Sequence, residues 1–209
     1  GQDRKVGPQP RDVQGGGDAG GHGFLGSGGA SGWPGAGATG EYSAVCKARP
    51  DADIVVDVNE GWSFSQLVEL APQFKALGIK MIEQPLPRGE DDALEGYQPP
   101  ITLCADESCL DASELEQVAR RYHMVNIKLD KTGGLTEALN LARRAKQKGM
   151  MLMVGNMVGT SLAMAPAYVI AQLCDFVDLD GALFLQGDRC FPMSYENGVV
   201  SGLSTQLWG

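Results

Sequence analysis

Four short apolar runs in this chain each end in an ionisable residue. Ile54-Val55-Val56 ends in Asp57, Lys80-Met81-Ile82 in Glu83, Thr102-Leu103-Cys104-Ala105 in Asp106, and Met124-Val125-Asn126-Ile127 in Lys128. The ionisable residues lie 26, 23 and 22 positions apart. Each interval suits one strand, one helix and two loops, so three carboxylates and an amine recur at the same place in a repeated unit. Carboxylates gathered at neighbouring strand ends repel one another and titrate upward unless a cation joins them. A hard divalent ion such as Mg²⁺ takes oxygen ligands, and three monodentate carboxylates leave roughly three octahedral positions open. A substrate carboxylate in two of those positions would have its developing negative charge stabilised. Lys128 could then remove a proton from the adjacent carbon, provided burial and the nearby cation lower its pKa. Taken singly, Asp57 reads as readily as a solvated loop acid or helix cap, and Lys128 as a snorkelling surface side chain. The argument rests on the series.

The elements that position these residues follow from apolar periodicity and punctuation. Asp53–Asp57 reads as a strand. Ser63 or Ser65 caps a helix running to about Leu77 on a stripe of Phe64, Leu67, Val68, Leu70, Ala71, Phe74 and Leu77, with Pro72 inside it and Gly78 after it. Met81–Glu83, Ile101–Ala105, Met124–Lys128, Met151–Val154 and Phe176–Asp178 read as further strands. Between them lie a short helix from Asp91 to Gly96, a helix Glu114–Arg121 capped by Ser113, a long helix opened by Gly133-Gly134, and Ser161–Leu173 with its internal Pro166. Weak strand signals follow at Val199-Val200 and Leu203. Strand and helix alternate six times, and the strands are continuous apolar runs, as in parallel strands buried on both faces. Functional residues of such folds gather at the C-terminal strand ends. A barrel brings successive ends around one mouth, whereas an open sheet spreads them along an edge. The expected fold is therefore an α/β, incomplete (β/α)8 barrel.

The flanks differ from this core. Glycine fills 15 of the first 40 positions, out of 29 in the whole chain of 209. Such a segment cannot bury enough apolar surface to offset its conformational entropy, so residues 1–40 are expected to be disordered. The barrel-like domain is expected over 41–190, with a C-terminal tail over 191–209. The net charge of −9 argues against a nucleic-acid surface. No run is long and apolar enough for a membrane span, and no signal peptide is visible at the start. Five scattered cysteines without a CxxC pair suit reduced thiols in a cytoplasmic protein.

Four segments carry a family resemblance: Asp57-Val58-Asn59-Glu60-Gly61-Trp62, Ile82-Glu83-Gln84-Pro85, Ala105-Asp106-Glu107-Ser108, and Asn126-Ile127-Lys128-Leu129-Asp130-Lys131-Thr132-Gly133-Gly134. They resemble the enolase superfamily, and within it the muconate-lactonizing subgroup. The Lys base and Mg²⁺-stabilised enediolate outlined above are the known chemistry of that superfamily. The resemblance implies that Asp57, Glu83 and Asp106 bind Mg²⁺ and that Lys128 is an acid/base. Asp178-Leu179-Asp180-Gly181 narrows it further, being similar to an Asp-x-Asp that holds the substrate's terminal ammonium in dipeptide epimerases of the L-Ala-D/L-Glu type. Two carboxylates at a barrel mouth suit an ammonium physically.

The resemblance covers roughly residues 41–209, equivalent to barrel strands three to eight. The family's capping domain and first two strands, the second bearing a Lys-x-Lys, have no counterpart in residues 1–40. With one lysine in place of two, the implied chemistry is proton exchange with retention, and epimerisation would be impaired. The expected partner is a small dipeptide; nucleic acid and membrane are not expected, and a homo-oligomer is left open. Two alternatives also stand at this stage. One is another muconate-subgroup activity, cycloisomerase or o-succinylbenzoate synthase, needing neither Asp178 nor Asp180. The other is a catalytically silent metal-binding remnant.

Overall fold

A computed structural model describes residues 39–196, 199–200 and 202–209. The expectation of disorder for residues 1–40 falls, but for its last two residues, outside the described residues. Residues 39 and 40 belong to the helix α1, Thr39–Ala48. Six strands follow: β1 Val55–Asp57, β2 Met81–Glu83, β3 Thr102–Ala105, β4 Met124–Ile127, β5 Met151–Val154 and β6 Phe176–Val177. They are hydrogen-bonded in sequence order, β1-β2-β3-β4-β5-β6, and β1–β2, β2–β3 and β5–β6 pair in parallel. Sequential parallel order with helical crossovers is the topology of an incomplete (β/α)8 barrel. Among the described residues no helix is long and apolar enough to cross a membrane.

The described chain forms two compact units. One runs to Ser108 and includes Glu116–Met124; the other comprises Cys109–Leu115 and the chain from Val125 on. In the first unit, α2 (Phe64–Ala76) starts on a capping box. The Ser63 hydroxyl accepts from the Gln66 backbone N–H, and the Gln66 side chain accepts from the Ser63 N–H. Leu67, Leu70, Ala71 and Phe74 form its buried face. Phe74 packs on Tyr42 and Trp62, with ring centroids 4.7 and 5.5 Å away. The helix runs unbroken through Pro72, which is exposed. The carbonyl that Pro72 leaves without its helical donor belongs to Val68, whose side chain is also on the water side. Gly78 ends this segment at φ +84°, a conformation that favours glycine. The crossover from β2 to β3 is a single 3-10 turn, Asp91–Leu94.

In the second unit, α4 (Leu129–Thr132) is a short helix that periodicity did not indicate. It is followed by α5 (Leu135–Gln147), which buries Ala138, Leu141, Ala142 and Ala145, and by α6 (Ser161–Ala171). The strands β7 (Tyr195–Glu196) and β8 (Val199–Val200) pair antiparallel and are the last strands among the described residues, where the expected strand signal at Leu203 is not met. The helix expected from Glu114 begins at Leu115, as α3 (Leu115–Arg121). Ser113 does not cap it as expected: its backbone N–H and hydroxyl both donate to Asp111 Oδ1, at 2.7 and 2.6 Å. That is a local Asp turn competing with the cap.

Candidate active site

Asp57 and Glu83 are the last residues of β1 and β2 and are paired in register. Glu83 pairs with Cys104, which places Asp106 just past the end of β3. All three carboxylates are buried, with 6, 4 and 2% of their surface exposed. The loops that follow stay zipped beyond the strands. Val58 N–H donates to Glu83 O, Glu60 N–H to Gln84 O and Gln84 N–H to Cys104 O. Asp57 Oδ1 also accepts from Asn59 N–H at 2.9 Å. Asn59, Glu60 and Gln84 all have positive φ, at 47, 65 and 33°. Strain of that kind is held only where the surroundings over-determine it, and it concentrates at functional sites.

Ionised carboxylates are costly to bury unless something compensates them. Three at adjacent strand ends make an oxygen-donor set of the type hard divalent ions take, and in that respect the residues fit Mg²⁺. Among the described residues, however, no three His, Cys, Asp or Glu side chains are grouped closely enough to hold a metal ion as they stand.

The second group belongs to the other unit. Lys128 follows β4 directly and occupies the N-cap position of α4. Gly155 follows β5 and donates its N–H to Ile127 O. A Cβ at Gly155 would lie 2.8 Å from the Asn126 amide and 3.0 Å from Lys128 Cε, so the lysine stem lies close to a bare backbone there. Asp178 follows β6, its N–H on Val154 O. Its carboxyl is pushed up from 3.8 to about 8, first by burial and then by the charge and hydrogen bond of Asp180, with Lys128 pulling it back. Asp178 is therefore electrostatically linked to both Asp180 and Lys128.

Asn156 braces this pair, its amide N–H donating to Asp178 O at 2.7 Å. A side chain at Gly181 would collide with Asn156 Oδ1, which explains the glycine closing Asp178-Leu179-Asp180-Gly181. The Tyr195 hydroxyl is buried, and its pKa is raised to about 12 by burial and then by Asp188 and Asp180. Lys131, which neighbours the glycine pair, donates to Asn126 O at 3.1 Å.

The structure thus sets Asp57 beside Glu83 in register, and joins Lys128 with Asp178 and Asp180 electrostatically. Tyr195 was not singled out by sequence, and Gln84 and Asn156 were noticed only as members of Ile82-Glu83-Gln84-Pro85 and Gly155-Asn156-Met157, without a role of their own. Nothing in residue type distinguishes a buried Gln, Asn or Tyr from an exposed one.

Comparison with known proteins adds the following. A family model described as "Enolase C-terminal domain-like" matches residues 32–193. The chain is 48% identical over 167 residues to an N-acetyl-D-glutamate racemase of Pseudoalteromonas sp., covering 80% of this chain and 53% of that protein. It is 48% identical over 145 residues to the L-Ala-D/L-Glu epimerase of Escherichia coli K12, covering 69% and 45%. A crystal structure of an enolase family member from Agrobacterium tumefaciens, with homology to dipeptide epimerases and bound sodium and L-Ala-L-Glu, superposes with a TM-score of 0.77. Its identity is 46%, over 79% of this chain and 51% of that one. The chain spans about half the length of the curated relatives it matches.

Proposed function

Because the chain belongs to the enolase C-terminal domain-like family, we propose that it carries the proton-abstracting and metal-binding part of an isomerase that epimerises a glutamate-containing dipeptide such as L-Ala-D/L-Glu. The observation that carries this reading is the coincidence of two features. Buried acids stand at the C-terminal ends of three consecutive strands, and a lysine after the fourth is electrostatically linked to an acid pair. In this reading Asp57, Glu83 and Asp106 hold Mg²⁺. When bound, the ion would stabilise the negative charge that builds up on a substrate carboxylate as the α-proton leaves. Lys128 takes that α-proton and can return it to the same face. The open backbone at Gly155 leaves the lysine stem room to reach. Asp178 and Asp180 receive the ammonium of the dipeptide's first residue, which replaces the proton on Asp178. Asn156 fixes the backbone of the pair.

A second reading has an equally similar relative behind it. An N-acetylated glutamate has the same acidic α-hydrogen and carboxylate but no ammonium. A carboxyl pair that keeps its proton could donate a hydrogen bond to an acyl oxygen instead. L-Ala-L-Glu and N-acetyl-D-glutamate, each supplied with Mg²⁺, separate the two readings. The dipeptide reading expects Asp180→Asn to weaken handling of L-Ala-L-Glu at least tenfold and to leave N-acetyl-D-glutamate little changed. Preference for the acetylated substrate in the unaltered chain, with indifference to Asp180→Asn, would replace it with the racemase reading. It would also leave open a subgroup activity that does not use the acid pair.

A further inference from the structure

Gln84 lies between Glu83 and Asp106 in their hydrogen-bonded frame, and it is itself 0% exposed. Its backbone has φ +33°, outside the range non-glycine residues prefer. Every polar atom of its side chain is used. Oε1 accepts from the Asp106 N–H at 2.9 Å and from the Ser108 N–H at 3.1 Å. Nε2 donates to Leu86 O and Ser108 Oγ, both at 2.8 Å, and stands 3.3 Å from the Tyr122 hydroxyl. Two backbone donors on one side and a backbone acceptor on the other fix which end of the amide is oxygen. No other side chain of this length could replace it: glutamate would face Leu86 O with a second acceptor, and methionine would leave two buried N–H groups without their partner.

The far side of the network is anchored in the same unit. The Tyr122 hydroxyl donates to Asp91 Oδ2 at 2.9 Å, and Asp91 pairs with Arg121 at 2.8 Å where both side chains are under 10% exposed. Burial, with the charge of Asp91 behind it, raises the Tyr122 pKa far above its usual range, so the phenol remains a donor. The Asp91–Arg121 pair is thus connected through Tyr122, Ser108 and Gln84 to the backbone on which Asp106 begins its loop. Gln84 is also joined to Glu83 by a peptide bond.

We propose that Gln84 is a positioning residue that sets the separation of Glu83 from Asp106, and so the affinity of the carboxylate site for a divalent cation. The inference rests on the assignment of those acids as cation ligands. The amide holds the loop after β3 against the turn after β2. Without it the strained turn can relax, and the two carboxylates lose their fixed spacing.

The test is Mn²⁺ binding to the full chain, read by the electron paramagnetic resonance of free Mn²⁺ alongside thermal unfolding. Gln84→Met is expected to bind Mn²⁺ at least tenfold more weakly than the unaltered chain. Tyr122→Phe, which keeps the ring and removes one anchor, should weaken binding severalfold. Ser63→Ala removes the α2 capping box; it should lower the unfolding temperature and leave Mn²⁺ affinity unchanged, separating spacing from general stability. Folded Gln84→Met with unaltered affinity would overturn the inference while the cation assignment stands. If Gln84→Met does not fold, unchanged affinity in Tyr122→Phe overturns it instead. An unaltered chain that takes up no Mn²⁺ overturns the cation assignment, and this inference with it.

Discussion

Replacing Gly155 by alanine should separate the position of Lys128 from the stability of its surroundings. The Gly155 backbone needs no left-handed conformation, so alanine meets only a steric obstacle. The added methyl would stand 2.8 Å from both terminal atoms of the Asn126 amide and 3.0 Å from Lys128 Cε. Relaxed contacts between such atoms begin near ~3.5 Å, so the two side chains must retreat by about 0.5–0.7 Å. Overpacking of this order costs about 1–3 kcal/mol. Alanine recovers about 0.4–1 kcal/mol by restricting the unfolded chain, leaving an expected net loss of about 1–2 kcal/mol. The chemical consequence is larger, because displacing a catalytic group by about 1 Å can lower a rate on the order of a hundredfold. Urea unfolding should therefore show a modest shift, while exchange of the substrate α-proton falls ten- to a hundredfold. A Gly155→Ala chain with the original exchange rate would refute the placement of Lys128 over this glycine as a requirement for proton transfer. Loss of both signals together would show only that the chain had unfolded, so the exchange rate is read on protein whose unfolding curve is intact.

The acids of the second unit give three further outcomes. Asp178 has its folded pKa raised from 3.8 to about 8, so the stability it contributes is complete below pH 3.8 and is lost as the pH rises toward 8. Asp178→Asn should remove that slope from a pH series of unfolding midpoints, and an unchanged slope would reject the raised pKa of Asp178. By the same linkage, binding of L-Ala-L-Glu should release a proton and tighten as the pH approaches 8, by up to about tenfold per unit. Calorimetry in buffers of different ionisation enthalpy measures this directly. Asp188 behaves in the opposite sense. Partial burial would raise its pKa, but hydrogen bonds from the Ser161 hydroxyl and backbone, with Arg189, hold it below the usual value. Asp188 also ties the start of α6 to Met193, whose N–H donates to Ser161 Oγ. Asp188→Ala should cost about 1–2 kcal/mol, as the loss of a helix cap does. That difference should shrink as the pH falls through the low pKa of Asp188, and a loss independent of pH would count against the cap.

The strands of the sheet were legible because they are short, largely apolar runs, and all but β5 are followed by or end in a charged residue. Asp57, Glu83, Asp106 and Lys128 therefore stand where the sequence put them, at strand ends. Pro72 and Pro166 were read as lying inside helices, and both helices do continue through them. A proline costs little where the carbonyl it deprives can face water. Ser113 was misjudged because a nearby Asp111 offered its hydroxyl a closer partner than the helix end did. Gln84 was illegible as an anchor for a different reason. Its role depends on Ser108 and Tyr122, 24 and 38 positions away, and no local pattern reveals that convergence. The same holds for Asn156 and Asp178, joined across 22 positions.

In the proposed function Lys128 removes the α-proton of a dipeptide, and Asp57, Glu83 and Asp106 hold Mg²⁺. The most direct measurement incubates L-Ala-L-Glu with the chain and Mg²⁺ in D₂O, following the glutamyl α-proton by NMR in the unaltered protein and in Lys128→Ala. Deuterium should enter at the glutamyl α-carbon with the unaltered chain, and fall to background both in Lys128→Ala and after chelation of the metal. Deuterium entering at an undiminished rate without the lysine or without the metal would contradict the claim, as would its failure to enter at all with the unaltered chain.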